Sequence, residues 1–516
     1  MKHFIVIDGG TQNIKAFIID ENGNFIHGES VPANHYTAPQ PGFAELDAEE
    51  YLKRTMEVVA GLMRTSSVPK DSLAALAITT HRNTLIPIGA SGKPVRPAFT
   101  WLDSRQTPGL TMPGGPVKSL ALGATPIGRK LKEYQRRSRF NWLRTYEPDN
   151  YEKTAMFLSI TSYIFHALTG QFKDSSSIAG LLPIDFKGFR WHPWKLAYDV
   201  LGVQREKLPP LISPAEVAGT VSDEGAKSFG VPSGLPVIIG AGDKQSELLG
   251  AGAITSDTAA ISYGTAAVIE VLTDRYIAHP RMEFYTLGSA IPRHWVLEGF
   301  VGRGYWMMSW FRREFARQEE EEARKLGIAP EELLNKNIDA IPPGCLGLLV
   351  HPYWHPREND PLSRGAIIGF CGEHTRMHLY RAIIEGITFE LRLLANTMQK
   401  YTGNRIAHLR VGGGGSKSDE VMQITADIFS LPASRLHTSN LGALGMAIDA
   451  GVALKLYSGF PEAVAGMVRV EKTFTPRQET ALIYDRLFKE VYSGIYTALA
   501  PLHARMAEII KTAKAA

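Results

Sequence analysis

Phe4-Ile5-Val6-Ile7-Asp8-Gly9-Gly10-Thr11-Gln12-Asn13 is an apolar run that stops dead at an Asp-Gly-Gly-Thr turn, and a second apolar run, Ala16 to Ile19, follows at once. That run ends in Asp20-Glu21-Asn22-Gly23-Asn24, after which Phe25-Ile26 resumes. Short apolar runs separated by Gly-rich turns read as an antiparallel meander. A βαβ unit would instead place a helix directly after the glycines. The pattern has an echo far down the chain, where Ala259-Ala260-Ile261-Ser262-Tyr263 leads through Gly264-Thr265-Ala266 into Ala267-Val268-Ile269-Glu270-Val271. Two strand–Gly-Thr–strand hairpins thus open two halves of related design, each offering a turn to a shared cleft.

Working outward, the 516 residues suggest two or three domains at roughly 150 residues each. Pro232-Ser233-Gly234-Leu235-Pro236 precedes Val237-Ile238-Ile239 and Gly240-Ala241-Gly242-Asp243, and a domain boundary is expected near Ala251. From Tyr380 the apolar positions Ile383, Ile387, Leu391, Leu394 and Met398 lie on one face of a helix that Gly403 stops. A strand, Leu409-Arg410-Val411, then runs into Gly412 to Gly415, and the chain from about Glu471 onward reads as a helical extension. The expected division is residues 1–250, 251–470 and 471–516.

Composition excludes several classes. Apolar residues make up 44% and charged residues 21%, which is a globular balance with ample core. The net charge of +4 is too small to argue for nucleic acid. The excess is local, since Arg129, Lys130, Lys132, Arg136, Arg137, Arg139 and Arg144 fall in one stretch against Glu133. A solvated helical face or a subunit contact is the plainer reading of that stretch, and an RNA-binding patch the sharper one. Two cysteines, no signal-peptide pattern and no apolar span of bilayer length lead to the expectation of a cytoplasmic protein with neither membrane nor nucleic-acid partners.

Several residues have the chemistry of a phosphate-handling enzyme. In Asp8-Gly9-Gly10-Thr11 with Lys15, glycines admit an anion close to backbone N–H groups, and Thr11 and Lys15 add a hydroxyl and a charge. Asp8 can orient Mg²⁺ through its water shell. An ordinary Asp-Gly hairpin turn explains the same residues. Gly412 to Ser418, GGGGSKS, fails as a Walker A loop because Ser416 precedes the lysine. It also fails as a dinucleotide fingerprint, leaving a tight strand-to-helix turn with or without a flat ring against it. Asp243 is placed either to accept a proton from an alcohol or simply to cap the following helix.

Taken together, Asp8-x-Gly10-Thr11, Trp101-Leu102-Asp103-Ser104-Arg105, Gly242-Asp243, Gly264-Thr265 and GGGGSKS resemble the FGGY carbohydrate kinases in order and spacing. Gly365-Ala366-Ile367-Ile368-Gly369 with His378-Leu379 and Ala382-Ile383-Ile384-Glu385 resembles that family's second signature, Phe370 departing from the smaller aliphatic residue usual there. The resemblance implies an α/β fold of two ribonuclease-H-like (actin/hexokinase-like ATPase) domains around a central cleft, the first holding the sugar and the second the nucleotide. It implies an ATP-dependent kinase with Mg²⁺, with Asp243 as the base and Asp8 as the metal-organising carboxylate. Thr11, Gln12, Lys15, Gly264 and Thr265 would clamp the phosphates, Gly414 and Gly415 would lie against adenine, and Ser418 or Asp419 would stand near its edge.

For the acceptor, His81, Arg82, Trp101, Asp103 and Lys244 are the implied contacts, together with Asp243 itself. His81-Arg82-Asn83 stands where glycerol kinases carry Gln-Arg-Glu and xylulokinases Met-His, and it matches neither fully. The expected substrate is a small sugar or polyol, most simply a ketose or small polyol. A kinase of a sugar-like signal molecule of the autoinducer-2 type and a non-catalytic sugar- or nucleotide-binding regulator stay open beside it. A homo-oligomer, dimer or tetramer, is a family expectation.

Overall fold

The computed structural model describes residues 1–33, 36–111, 125–357 and 360–515. The chain divides into two units, one of Met1–Gly250, Leu287–His294 and Gly442–Met467, the other of Ala251–Thr286, Trp295–Leu441 and Val468–Ala516.

In the first unit, β1 (His3–Gly9) runs antiparallel to β2 (Asn13–Asp20), which pairs with β3 (Phe25–Pro32). Phe4 to Ile7 are fully buried, as a strand covered on both faces requires. The chain then crosses through α1 (Ala48–Thr65) to β4 (Leu73–Thr80), which lies parallel to β1. Asp47 starts α1 by accepting from the Glu50 N–H, and Tyr51, Thr55, Val58 and Leu62 give it a buried face. Further on, β5 (Val217–Thr220) pairs antiparallel with β6 (Pro236–Ile239), which lies parallel to β4, and the helix α2 (Asp243–Gly250) follows. The sheet order is β5-β6-β4-β1-β2-β3. Since β1, β4 and β6 are parallel, their carboxyl ends share one edge, where Asp8, His81-Arg82 and Gly242-Asp243 emerge.

The second unit repeats the plan. Its central β7 (Thr258–Tyr263) is antiparallel to β8 (Ala267–Thr273), which pairs with β9 (Trp295–Val301). The long helix α3 (Arg376–Thr402) leads to β10 (His408–Gly413), parallel to β7, and α4 (Asp419–Phe429) leads to β11 (Ala433–Leu436). From β9 onward the order runs β9-β8-β7-β10-β11-β12, with β12 (Val470–Phe474) antiparallel at that edge and the short strand Tyr285–Gly288 on the other side of β9. The hairpin-then-crossover order expected of a ribonuclease-H-like domain is therefore present twice. Among the described residues no helix is long and apolar enough to cross a membrane.

Two boundaries differ from the sequence expectation. The segment from Glu471 begins as a strand, because Val470 to Phe474 pair with Ala433 to Leu436 before helices Gln478–Leu487 and Ser493–Ala515 begin. Gly442–Met467 belongs to the first unit. The helix Leu441–Ala453 packs its backbone on α2, so closely that a Cβ on Gly445 would sit 2.0 Å from the Ser246 carbonyl oxygen. Gly445→Ala should therefore lower the urea unfolding midpoint, by about 1–3 kcal/mol of stability. An unchanged midpoint would show that these helices are free to part.

Candidate active site

At the shared strand edge of the first unit the charges come in opposite pairs. Asp8 is the register partner of Lys15 across the hairpin. Burial pushes the Asp8 carboxyl up to about 6; Lys15 opposes the shift, and the like charges of Glu247 and Asp243 add to it. Arg82 Nε stands 3.3 Å from Asp243 Oδ1, and its Nη1 donates to Gln245 Oε1 at 3.4 Å. One turn along α2, Lys244 Nζ lies 2.5 Å from Glu247 Oε1.

The hairpin turn is held from below. The Gly10 N–H donates to the Asn13 carbonyl, so it closes the turn itself. Tyr51 Oη donates to the Gly10 carbonyl at 3.1 Å. His81 donates through its backbone N–H to the Gly9 carbonyl, and its Nδ1 lies 3.1 Å from the same oxygen. A carbonyl only accepts, so Nδ1 carries the proton, and burial pulls the ring's pKa down, keeping it neutral. Trp101 Nε1 donates to Thr11 Oγ1 at 3.0 Å, joining the indole to the turn. Gln12 is exposed, and its carbonyl accepts from the Ala33 N–H.

In the second unit the Gly264-Thr265 turn and the glycine run lie at the same end of neighbouring parallel strands, Tyr263 being the register partner of Gly413. The Gly264 and Thr265 carbonyls accept from the N–H groups of Tyr305 and Trp306. Gly413 has φ 79°, and a Cβ there would meet the Tyr263 backbone at 2.6 Å, so only glycine fits. Gly415 is backed by the Tyr305 ring, at 2.5 Å from a hypothetical Cβ, whereas Gly414 is exposed.

Two matches from family comparison decide what this frame belongs to. Residues 3–250 match the N-terminal domain of the FGGY family of carbohydrate kinases, and residues 259–454 match the C-terminal domain of the same family. The chain belongs to the FGGY family of carbohydrate kinases. It is similar to an uncharacterized sugar kinase of Escherichia coli K12, YgcE, at 29% identity over 96% of this chain and 93% of that one. A xylulose kinase of Bacillus subtilis is 27% identical over 96% of this chain and 97% of its own length, and a gluconokinase of the same species 26% identical over 94% of each. A xylulose kinase structure from Lactobacillus acidophilus has the same fold, with a TM-score of 0.83, 24% identity, and cover of 98% of this chain and all of that one.

For an FGGY kinase, the first unit brings together Asp8, Thr11, Lys15, His81, Arg82, Trp101, Asp243 and Lys244. Asp103 is drawn elsewhere. Its Oδ1 accepts from Arg105 Nε at 2.9 Å and its Oδ2 from the Ala44 N–H at 2.9 Å, with the side chain 1% exposed. It braces the loop that carries Trp101, because a buried Arg105 takes its charge. Asp419 is likewise engaged, by Lys472 at 2.5 Å and Arg435 at 2.7 Å. The Ser418 hydroxyl caps α4, accepting from the Val421 N–H. The sequence reading passed over Glu247 and Tyr51. Glu247 had a visible signal, four residues after Asp243 on one helix face. Tyr51 had none, since it reaches Gly10 from a different element.

Asp174 lies beside this cluster, in a pocket also lined by His81, Arg82, Asn83 and Gly242. Burial pushes its carboxyl from 3.8 up to about 6, opposed by hydrogen bonds from Ser159 and Ser175. Between about pH 4 and 6 the folded state holds a proton that the unfolded chain has released, so this group makes stability fall as pH rises through that window. Asp174→Asn keeps an acceptor for the Ser175 N–H. Its urea midpoint should gain on the wild type as pH rises from 4 to 6; a constant difference across that range would contradict the assignment.

Proposed function

We propose that this carbohydrate kinase transfers the γ-phosphoryl group of ATP to a hydroxyl of a sugar or related polyhydroxy acceptor, with Asp243 as the base. The observation that supports this reading most directly is the state of the Asp243 carboxylate. Its Oδ1 is buried beside Arg82 and accepts no hydrogen bond among the described residues, while the side chain as a whole stays 28% exposed. A carboxylate fixed by an ion pair at the start of a helix, with an acceptor lone pair unspent, suits a base that receives an alcohol O–H.

The acceptor hydroxyl donates to Asp243. As its oxygen bonds to the γ-phosphorus, the bond from phosphorus to the β,γ-bridging oxygen breaks and ADP leaves with that electron pair. The proton passes to Asp243 and then to solvent. Lys15, Arg82 and Lys244 set positive charge close to this point, which favours the transition state of phosphoryl transfer more than any covalent chemistry would. His81, neutral and fixed by Gly9, and Trp101, fixed by Thr11, are rigid surfaces for the acceptor. Gly264, Thr265 and the exposed Gly414 are the proposed nucleotide contacts of the second unit.

Asp8 suits a Mg²⁺ that arrives with ATP. It is a carboxylate disfavoured by burial and by neighbouring like charge, which a divalent cation relieves. The described residues offer no cage of three ligands, in keeping with an ion that retains its waters and binds one or two carboxylates plus phosphate oxygens. When bound, the ion neutralises phosphate charge.

Asp243→Asn should lower kcat by about 10²–10⁴-fold and leave ATP affinity within about threefold. Coupled ADP release and calorimetry with ATP measure the two. A variant that keeps a tenth or more of wild-type turnover would remove Asp243 from the base role.

A further inference from the structure

In the basic stretch 128–146, Arg139 is set apart by the groups it meets. Lys130 and Arg137 pair with Glu133, Arg136 reaches Gln106, and Arg144 lies over the Tyr151 ring. Arg139 turns toward the Arg82-Asn83 loop. Its Nη1 donates to the Asn83 carbonyl at 2.7 Å and to Asn83 Oδ1 at 3.0 Å, and its Nη2 donates to the Thr100 carbonyl at 2.6 Å. All three acceptors are neutral.

A guanidinium has five N–H donors, so these bonds leave the Nε–H and one hydrogen of Nη2. Among the described residues no carboxylate pairs with Arg139. Asp103 favours its charge from a distance but is itself taken by Arg105. Burial pulls the guanidinium down to about 10, the mark of a cation short of counter-charge.

Arg139 lines the same pocket as Arg82, Asn83 and Gly242, the residue before Asp243. Nε–H and Nη2–H form a planar fork that matches the two oxygens of a carboxylate. A phosphate dianion asks for more charge than one guanidinium supplies, and Arg82 is already matched by Asp243. Asp174, the acid lining the cavity, is held by Ser159 and Ser175.

We propose that the acceptor is a sugar acid, a polyhydroxy carboxylate of the aldonate type, whose carboxylate docks on the remaining fork of Arg139 while a hydroxyl farther along its chain meets Asp243. This rests on the kinase reading above and narrows it to a substrate class.

The test is ADP release by the full chain with Mg·ATP on pairs that differ only at the end carbon: D-gluconate and D-glucitol, D-galactonate and galactitol, D-xylonate and xylitol, with D-xylulose and D-ribulose alongside. The acid of at least one pair should exceed its polyol in kcat/KM by on the order of 100-fold, from two charge-assisted hydrogen bonds. Arg139→Gln should collapse that ratio to within about threefold, mainly through KM of the acid, and Arg139→Lys should restore only part of it. A polyol or ketose preferred by the wild type, its turnover lost in Asp243→Asn, overturns the substrate class and leaves the kinase reading standing. A ratio unchanged in Arg139→Gln makes Arg139 a brace for the loops and overturns the proposal. No turnover above ATPase background with any compound, while calorimetry shows ATP bound, removes the kinase reading and this proposal with it. The wild-type comparison holds whether or not the variants fold.

Discussion

Arg82 Nε and Asp243 Oδ1, 3.3 Å apart, hold together the chemistry of the first unit. Each comes from the carboxyl end of a parallel strand, and both side chains are largely enclosed, so each charge has its counter-charge beside it. The same constraint governs Asp8 with Lys15 and Lys244 with Glu247. The site is a row of opposite charges at one sheet edge, where each carboxylate has a cation beside it. The ion pair with Arg82 holds Asp243 in place, which is what the proposed base role asks of it.

The sheets explain why these residues meet at all. A hairpin followed by parallel crossovers delivers successive turns to one edge, and both units use that order. In the first unit the edge is lined with side-chain charge. In the second it is lined with backbone, where Gly413 and Gly415 allow close passage beside Tyr263 and Tyr305. A shared core of hairpin and parallel crossover thus supports two kinds of contact, set by the residues at the strand ends.

Much of this was legible in the sequence, because the informative residues are local. The apolar run to Asp8 and its turn, the break at Gly403, and Gly242-Asp243 after a buried strand each announce themselves within ten residues. What escaped depends on pairing over long separations. Nothing near Asp103 or Asp419 tells that Arg105, Arg435 and Lys472 have taken their charge. The return of residues 442–467 to the first unit turns on Gly445 meeting Ser246, two hundred residues away. Val470–Phe474 reads as a polar prelude to a helix until its pairing with Ala433–Leu436 is seen. Arg139 was visible only as one member of a basic stretch, because its distinction lies in which acceptors it meets.

The most direct test of the account follows the phosphoryl group itself. Full-length enzyme given γ-³²P-labelled ATP, Mg²⁺ and an acceptor that stimulates turnover should yield label in a sugar phosphate ester, one ester for each ADP formed. No label should remain on the protein after denaturation. Label recovered as inorganic phosphate, or trapped on the chain, would contradict direct transfer to an acceptor hydroxyl deprotonated by Asp243.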